Sequence, residues 1–145
     1  MTVTIDNSIF DKLKAKTVDA GEQVVAAVAQ AQIASEQLRL KKGFGTDDNR
    51  MPAYSKGYAK FKANAGRQVQ ARDLLFSGKL RRSRHATAPK KNSEGYETTI
   101  TFSDQHSKVI ALANQRIAPA FGVSPQDREK IDAVAQTAIM NALTK

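Results

Sequence analysis

The chain has 145 residues, no cysteine and no tryptophan, 41% apolar residues and a formal net charge of +9. That length suits one domain over 1–145, and the missing thiols exclude structural disulfides and thiolate metal sites. Aromatic residues make up only 6%, so the core is expected to be modest and part of the stability to come from assembly.

The opening Met1-Thr2-Val3-Thr4-Ile5-Asp6 lacks the basic start and apolar run of a secretory signal. No apolar run approaches the roughly 20 residues that span a bilayer. The chain therefore reads as one made in the cytoplasm, with no membrane partner. Its positive charge is concentrated: Arg39 to Lys91 holds fifteen Lys or Arg against Asp47, Asp48 and Asp73, while the two flanks are together net negative. A field of that shape favours polyanions or an acidic partner surface.

The first predicted element is a long helix over about 7–41. Ile9, Leu13, Ala20, Val24, Val28, Ala31, Ser35 and Leu38 recur at spacings of three, four or seven, the mark of one helical face. Asp6 or Asn7 caps its start, and Lys41, Lys42 and Gly43 end it. Gly21 is the expected point of a bend or break. A continuous helix of this span is about 50 Å long at roughly 1.5 Å per residue. That exceeds what one small domain covers, so part of it is expected to pack on a neighbouring subunit.

A loop and short helices follow over about 43–83. Ser55 caps one helix through about Asn64, with Tyr54, Tyr58 and Phe61 sharing a side, a spacing that favours core over nucleic-acid stacking. Ser77-Gly78 opens another through about Ser83. A hairpin occupies about 84–103: Arg84 to Lys90 and Tyr96 to Ser103 read as strands, joined by the turn residues Asn92-Ser93-Glu94-Gly95. Asp104 begins a helix over about 104–115. After an extended connection over 116–123, Ser124 as cap, Pro125 and Asp127 start a last helix over about 124–143. The fold class is α+β: the long N-terminal helix and the C-terminal helix pack around a small antiparallel sheet with a β-hairpin.

No catalytic set emerges, and no cofactor is called for. The acids are expected mostly on solvated helix faces, in caps or in turns, not as a convergent pair. His85 stands among arginines and His106 in a polar Asp-Gln-His-Ser setting; both read as surface or hydrogen-bonding residues. Gly78-Lys79 has the look of a phosphate loop, but Asp73 and Leu80 stand where that motif requires a glycine and a hydroxyl residue.

Lys79, Arg81, Arg82, Arg84, Lys90 and Lys91 form a cationic segment with no acid between its ends. It reads as a solvated face, as a contact with the phosphate backbone of DNA, or as a salt-bridging contact with an acidic partner. The alanine-rich stripes of the first and last helices, with Val24, Val28, Ala31, Leu38 and Ile139, are the candidate subunit interface. Tyr54 and Phe121 are the candidate structural anchors.

Three stretches carry a resemblance. Met51-Pro52-Ala53-Tyr54-Ser55 with Tyr58, Lys62 and Gly66 is the first. Asp73-Leu74 with Ser77-Gly78-Lys79-Leu80-Arg81-Arg82-Ser83 is the second. Arg116 with Pro119-Ala120-Phe121-Gly122-Val123-Ser124-Pro125-Gln126-Asp127 is the third. In this order, over about 44–143, they resemble the virion-morphogenesis and tail-completion proteins of tailed bacteriophages. One departure is that Ala113-Asn114-Gln115 leads into Arg116 without the family's usual glycine. The resemblance implies a structural α+β subunit of the neck, a tail-completion or tail-terminator protein with no catalytic residues. It implies a homo-oligomeric ring, sixfold or twelvefold, between connector and tail proteins in the virion, with phage DNA in its lumen. The alternatives are a DNA-associated accessory protein without sequence preference, and an enzyme subunit completed only in a complex.

Overall fold

The computed structural model describes residues 7–75 and 77–144, with side chains from residue 20 onward. Helix α1 (Asn7–Lys41) is followed by α2 (Lys56–Asn64) and α3 (Lys79–Ser83). Four short strands come next: β1 (Arg84–Ala86), β2 (Lys90–Asn92), β3 (Gly95–Glu97) and β4 (Ile100–Phe102). Helices α4 (Gln105–Ile117) and α5 (Pro125–Leu143) complete the chain. The class is α+β.

Helices α2, α4 and α5 start where their sequence provides a cap. The Ser55 hydroxyl accepts from Tyr58 N–H at 3.4 Å, and Asp104 Oδ1 accepts from Ser107 N–H at 2.9 Å. Ser124 and Asp127 form a reciprocal capping box at the head of α5. Helix α1 ends on Arg39 and Lys41, cations that suit the negative end of its dipole. No break occurs at Gly21: α1 runs through it without interruption. The glycine serves packing instead: a Cβ there would stand 2.9 Å from Cδ2 of Tyr96 on β3, so the Tyr96 ring lies directly on the helix backbone.

Helix α5 lies antiparallel along α1. At one end Arg39 meets Asp127; at the other, Val24 shares a cavity with Ile139 and Leu143. The oversized α1 is thus covered, over much of its described length, by α5 and the hairpin of its own chain.

The expected pair of long strands is instead two short antiparallel ladders in line. β1 pairs β4 with Arg84 opposite Phe102, and β2 pairs β3 with Lys91 opposite Tyr96. Pro89 has no N–H to donate, which interrupts the ladder. Thr87 and Thr98 bridge the gap through their side chains: Thr98 Oγ1 donates to Thr87 O at 2.6 Å, and Thr99 N–H donates to Thr87 Oγ1 at 3.1 Å.

Among the described residues, buried apolar side chains gather in two small clusters, with Ala29, Ile33 and Ile131 buried outside them. One gathers Leu40, Met51, Ala118 and Ala120; the other gathers Leu80, Phe102 and Ala111. Leu74 and Phe121 pack against both. The Phe121 ring meets Phe102 edge-on, with centroids 5.4 Å apart. Among the described residues, as many polar or charged residues are buried as apolar ones, so polar pairing contributes heavily to fixing this interior.

Candidate functional site

Three acids lie away from solvent, Asp127 among them in the cap at the head of α5. Glu36, Asp73 and Asp127 are buried, each against a basic side chain. Carboxylates survive burial only when paired and hydrogen-bonded, and all three meet that condition.

The first pair lies where the first two motifs converge. Lys62 is fully buried. Its Nζ donates to Asp73 Oδ1 at 2.5 Å and sits 4.7 Å from the centroid of the Tyr54 ring. The Tyr54 hydroxyl donates to the same carboxylate at 3.0 Å and accepts from Leu74 N–H at 3.0 Å. Gln68 donates to the other carboxylate oxygen. Burial opposes ionisation of Asp73, but hydrogen bonds from Lys62, Gln68 and Leu75 N–H outweigh it and hold its pKa below the ordinary value. Burial, followed by the Asp73 charge, pushes the Tyr54 phenol well above its ordinary range. The cluster also holds Leu74 at φ 52°, a strained backbone for a bulky residue at a cost of about 1–3 kcal/mol. Tyr54 is half-buried in this cluster, its hydroxyl between Asp73 and Leu74 N–H.

Tyr58 and Phe61, expected in the core, are instead 39% and 57% exposed. The inward face of α2 centres on Lys62 and the half-buried Ala59, which turns Phe61 about 100° away from the interior. Tyr58 stays against the edge of the Tyr54 ring, with centroids 5.0 Å apart.

The other two pairs fasten the third motif to α1. Arg39 donates to Asp127 Oδ2 at 2.8 Å, to Phe44 O at 3.0 Å and to Gly122 O at 2.9 Å, and also reaches Ala120 O. Arg84 grips Glu36 with two parallel bonds at 2.9 and 3.0 Å, and Glu36 accepts from Gly122 N–H at 3.0 Å. Gly122, at φ 134°, is therefore held from both sides in a conformation that favours glycine. Phe121 is half-buried. It packs against both apolar clusters without being fully enclosed.

The cationic segment divides. Arg84 leaves it, because its guanidinium is committed to Glu36 and stacks 4.8 Å from the centroid of the Phe102 ring. Arg81 is half-buried beside Gln37. Arg82 is exposed and donates to Ser77 O at 3.2 Å. Lys79 is exposed and approaches Asp104 at 3.6 Å. Lys90 and Lys91 stand exposed on β2, which belongs to a different ladder from β1 and sits beside α1. One charged surface thus becomes two. His85 is exposed, with Nδ1 3.1 Å from Ser83 O, and His106 is exposed at the start of α4.

Of the candidate interface residues, Val24 and Ile139 line the cavity of about 430 Å³ between α1, α5 and the β2–β3 hairpin. Val28 and Ala31 are half-buried on α1. Leu38 and Ile139 are 58% and 44% exposed.

No family model, curated protein or solved structure matches this chain. Among the described residues no group of three His, Asp or Glu gathers where a metal would be held, and no helix is long and apolar enough to cross a membrane. The arrangement combines a rigid, ion-paired interior with unpaired cations and large apolar side chains left at the surface.

Proposed function

We propose that this chain is a structural subunit of a tailed-phage neck. It assembles as a ring that joins the head connector to the tail, in a tail-completion or tail-terminator role. The observation that carries the assembly reading is the apolar surface of α4 and α5. Val109, Leu112, Ile117, Ile139, Met140 and Leu143 range from 44% exposed at Ile139 to 66% at Leu143. Exposed apolar side chains mark surfaces that meet other proteins where they are contiguous, as Ile139, Met140 and Leu143 are along one stretch of α5. The phage part rests on the three ordered motifs. Their residues draw together in space: Tyr54, Lys62 and Asp73 share one cluster, and Leu74 and Phe121 pack on the same core residues.

Sedimentation and negative-stain imaging test this reading. Annular particles of sixfold or twelvefold symmetry are expected. Met140→Glu with Leu143→Glu should dissociate them while leaving helix content unchanged. A chain that stays monomeric at every concentration overturns the reading. The second reading, a DNA-associated accessory protein, draws on the exposed Lys90 and Lys91. It requires DNA retention that fades steeply with salt and is independent of sequence.

A further inference from the structure

Helix α2 reverses the usual distribution of its side chains. The one it buries is Lys62, held against Asp73, and its exposed large side chains include the rings of Tyr58 and Phe61. At about 100° per residue, the side of α2 opposite Lys62 has Lys60 and Asn64 at its centre. Lys56 lies on one flank, and Gly57 and Phe61 lie on the other. All five residues are exposed. No other helix or strand packs extensively on α2 among the described residues, which leaves this side to solvent.

Two further features mark it. Gly57 lies one turn before Phe61, and glycine is the poorest helix former after proline. Neither a positive φ nor a close neighbour requires a glycine here: a Cβ at position 57 would meet nothing within 4 Å. The bare backbone beside the ring therefore has no use inside the chain. The charge is also of one sign. From Asn49 to Arg72 the chain has six Lys or Arg and no Asp or Glu. Lys62 and Arg72 are buried, whereas Arg50, Lys56, Lys60 and Arg67 are exposed. None of those four is in an ion pair among the described residues.

An exposed ring beside a glycine, among lysines without countercharge, selects its occupant. Duplex DNA would answer the lysines, but its bases are stacked on one another and offer Phe61 no open face. An acidic peptide would answer them too, but an amphipathic peptide is held in a groove, and this side is the convex back of a helix. An unpaired nucleotide strand answers both features. A base has a π-face to lay on Phe61 in the room that Gly57 leaves, and its phosphates meet the lysines. We propose that α2 is a stacking platform for single-stranded nucleic acid, with Phe61 as the stacking residue and Lys56 and Lys60 as backbone contacts. The spacing of Tyr58 and Phe61 had favoured the core; their exposure is what opens this role. The proposal goes beyond the neck reading and does not depend on it.

The chain has no tryptophan, so Phe61→Trp installs a single indole on the platform. Its fluorescence should be quenched on titration with oligothymidylate, as a base stacks on the ring. Phe61→Ala and Phe61→Leu should each weaken binding about fivefold or more, since leucine keeps the apolar bulk and loses the π-face. Lys56→Gln with Lys60→Gln should lower the slope of log affinity against log salt by about 1.4, roughly 0.7 for each phosphate contact. An abasic strand of equal length and a duplex should bind more weakly than oligothymidylate and leave the indole unquenched. Lys90→Gln with Lys91→Gln should change none of this, which separates the platform from the accessory reading drawn on the hairpin. Phe61 is 57% exposed, so its variants are expected to fold; an unchanged denaturation midpoint checks each, and Phe61→Leu serves if Phe61→Ala fails. Parent affinity in Phe61→Ala or Phe61→Leu, equal binding of the abasic strand, or an unquenched indole overturns the proposal. Binding of polyglutamate with the same dependence on position 61 overturns it in favour of an acidic protein partner. Ring formation is read separately by mass. A monomer that passes these tests retires the neck reading alone, and a ring that fails them retires the platform alone.

Discussion

Arg39 Nε donates to Asp127 Oδ2 at 2.8 Å, joining the last turn of α1 to the first turn of α5. Both side chains are 5% exposed, so removing either leaves the other buried. Arg39→Ala is expected to cost about 3–5 kcal/mol in chemical denaturation. Arg39→Lys should recover only part, because an ammonium lacks the planar fork that reaches Asp127 and the backbone carbonyls together. A lysine variant as stable as the parent would show that those carbonyl contacts contribute nothing.

The Tyr54–Asp73 contact makes a prediction about pH. Folding depresses the Asp73 pKa below its ordinary 3.8, so the unfolded chain binds more protons than the folded one in that window. The stability Asp73 adds is fully present above 3.8 and is lost as pH falls through the lower folded value. Asp73→Asn should therefore be less stable than the parent at neutral pH, with the gap closing in acid. A gap that stays constant with pH would mean that the charge of Asp73 is irrelevant. Tyr54→Phe should cost about 1–3 kcal/mol, the penalty for leaving Leu74 N–H without its acceptor.

The divided cationic segment predicts two different outcomes from one kind of change. Arg82, Lys90 and Lys91 replaced together by Gln should shift stability by no more than about 0.5 kcal/mol per site. Arg84→Gln alone should cost about 3–5 kcal/mol, because Glu36 loses its countercharge inside the protein. Equal melting temperatures for the two variants would place Arg84 back among the surface cations.

Helix ends were readable because their signals are local. Ser55, Asp104 and Ser124 each cap the helix that their side chain can reach within three residues. The interior was less readable because its partners are remote: Arg39 meets Asp127 and Arg84 meets Glu36 across separations of 88 and 48 residues. A lysine or glutamate by itself argues for solvent, so composition pointed the wrong way. One local signal did exist. Tyr54, Tyr58 and Lys62 fall four apart, which places the lysine on the aromatic side of α2, where a buried counterion has to be sought.

The seat of Tyr96 on Gly21 also has an order in time. Helix α1 is synthesised before the hairpin, and its glycine makes it about 1 kcal/mol poorer as a helix than alanine would. The ring that covers this weak point emerges from the ribosome only with β3, after α2, α3 and the first strands. An alanine at position 21 would strengthen the nascent helix and obstruct the later docking of the hairpin. The chain therefore carries an early local defect that its own distal half repairs, and the finished contact ties the end of the hairpin to α1.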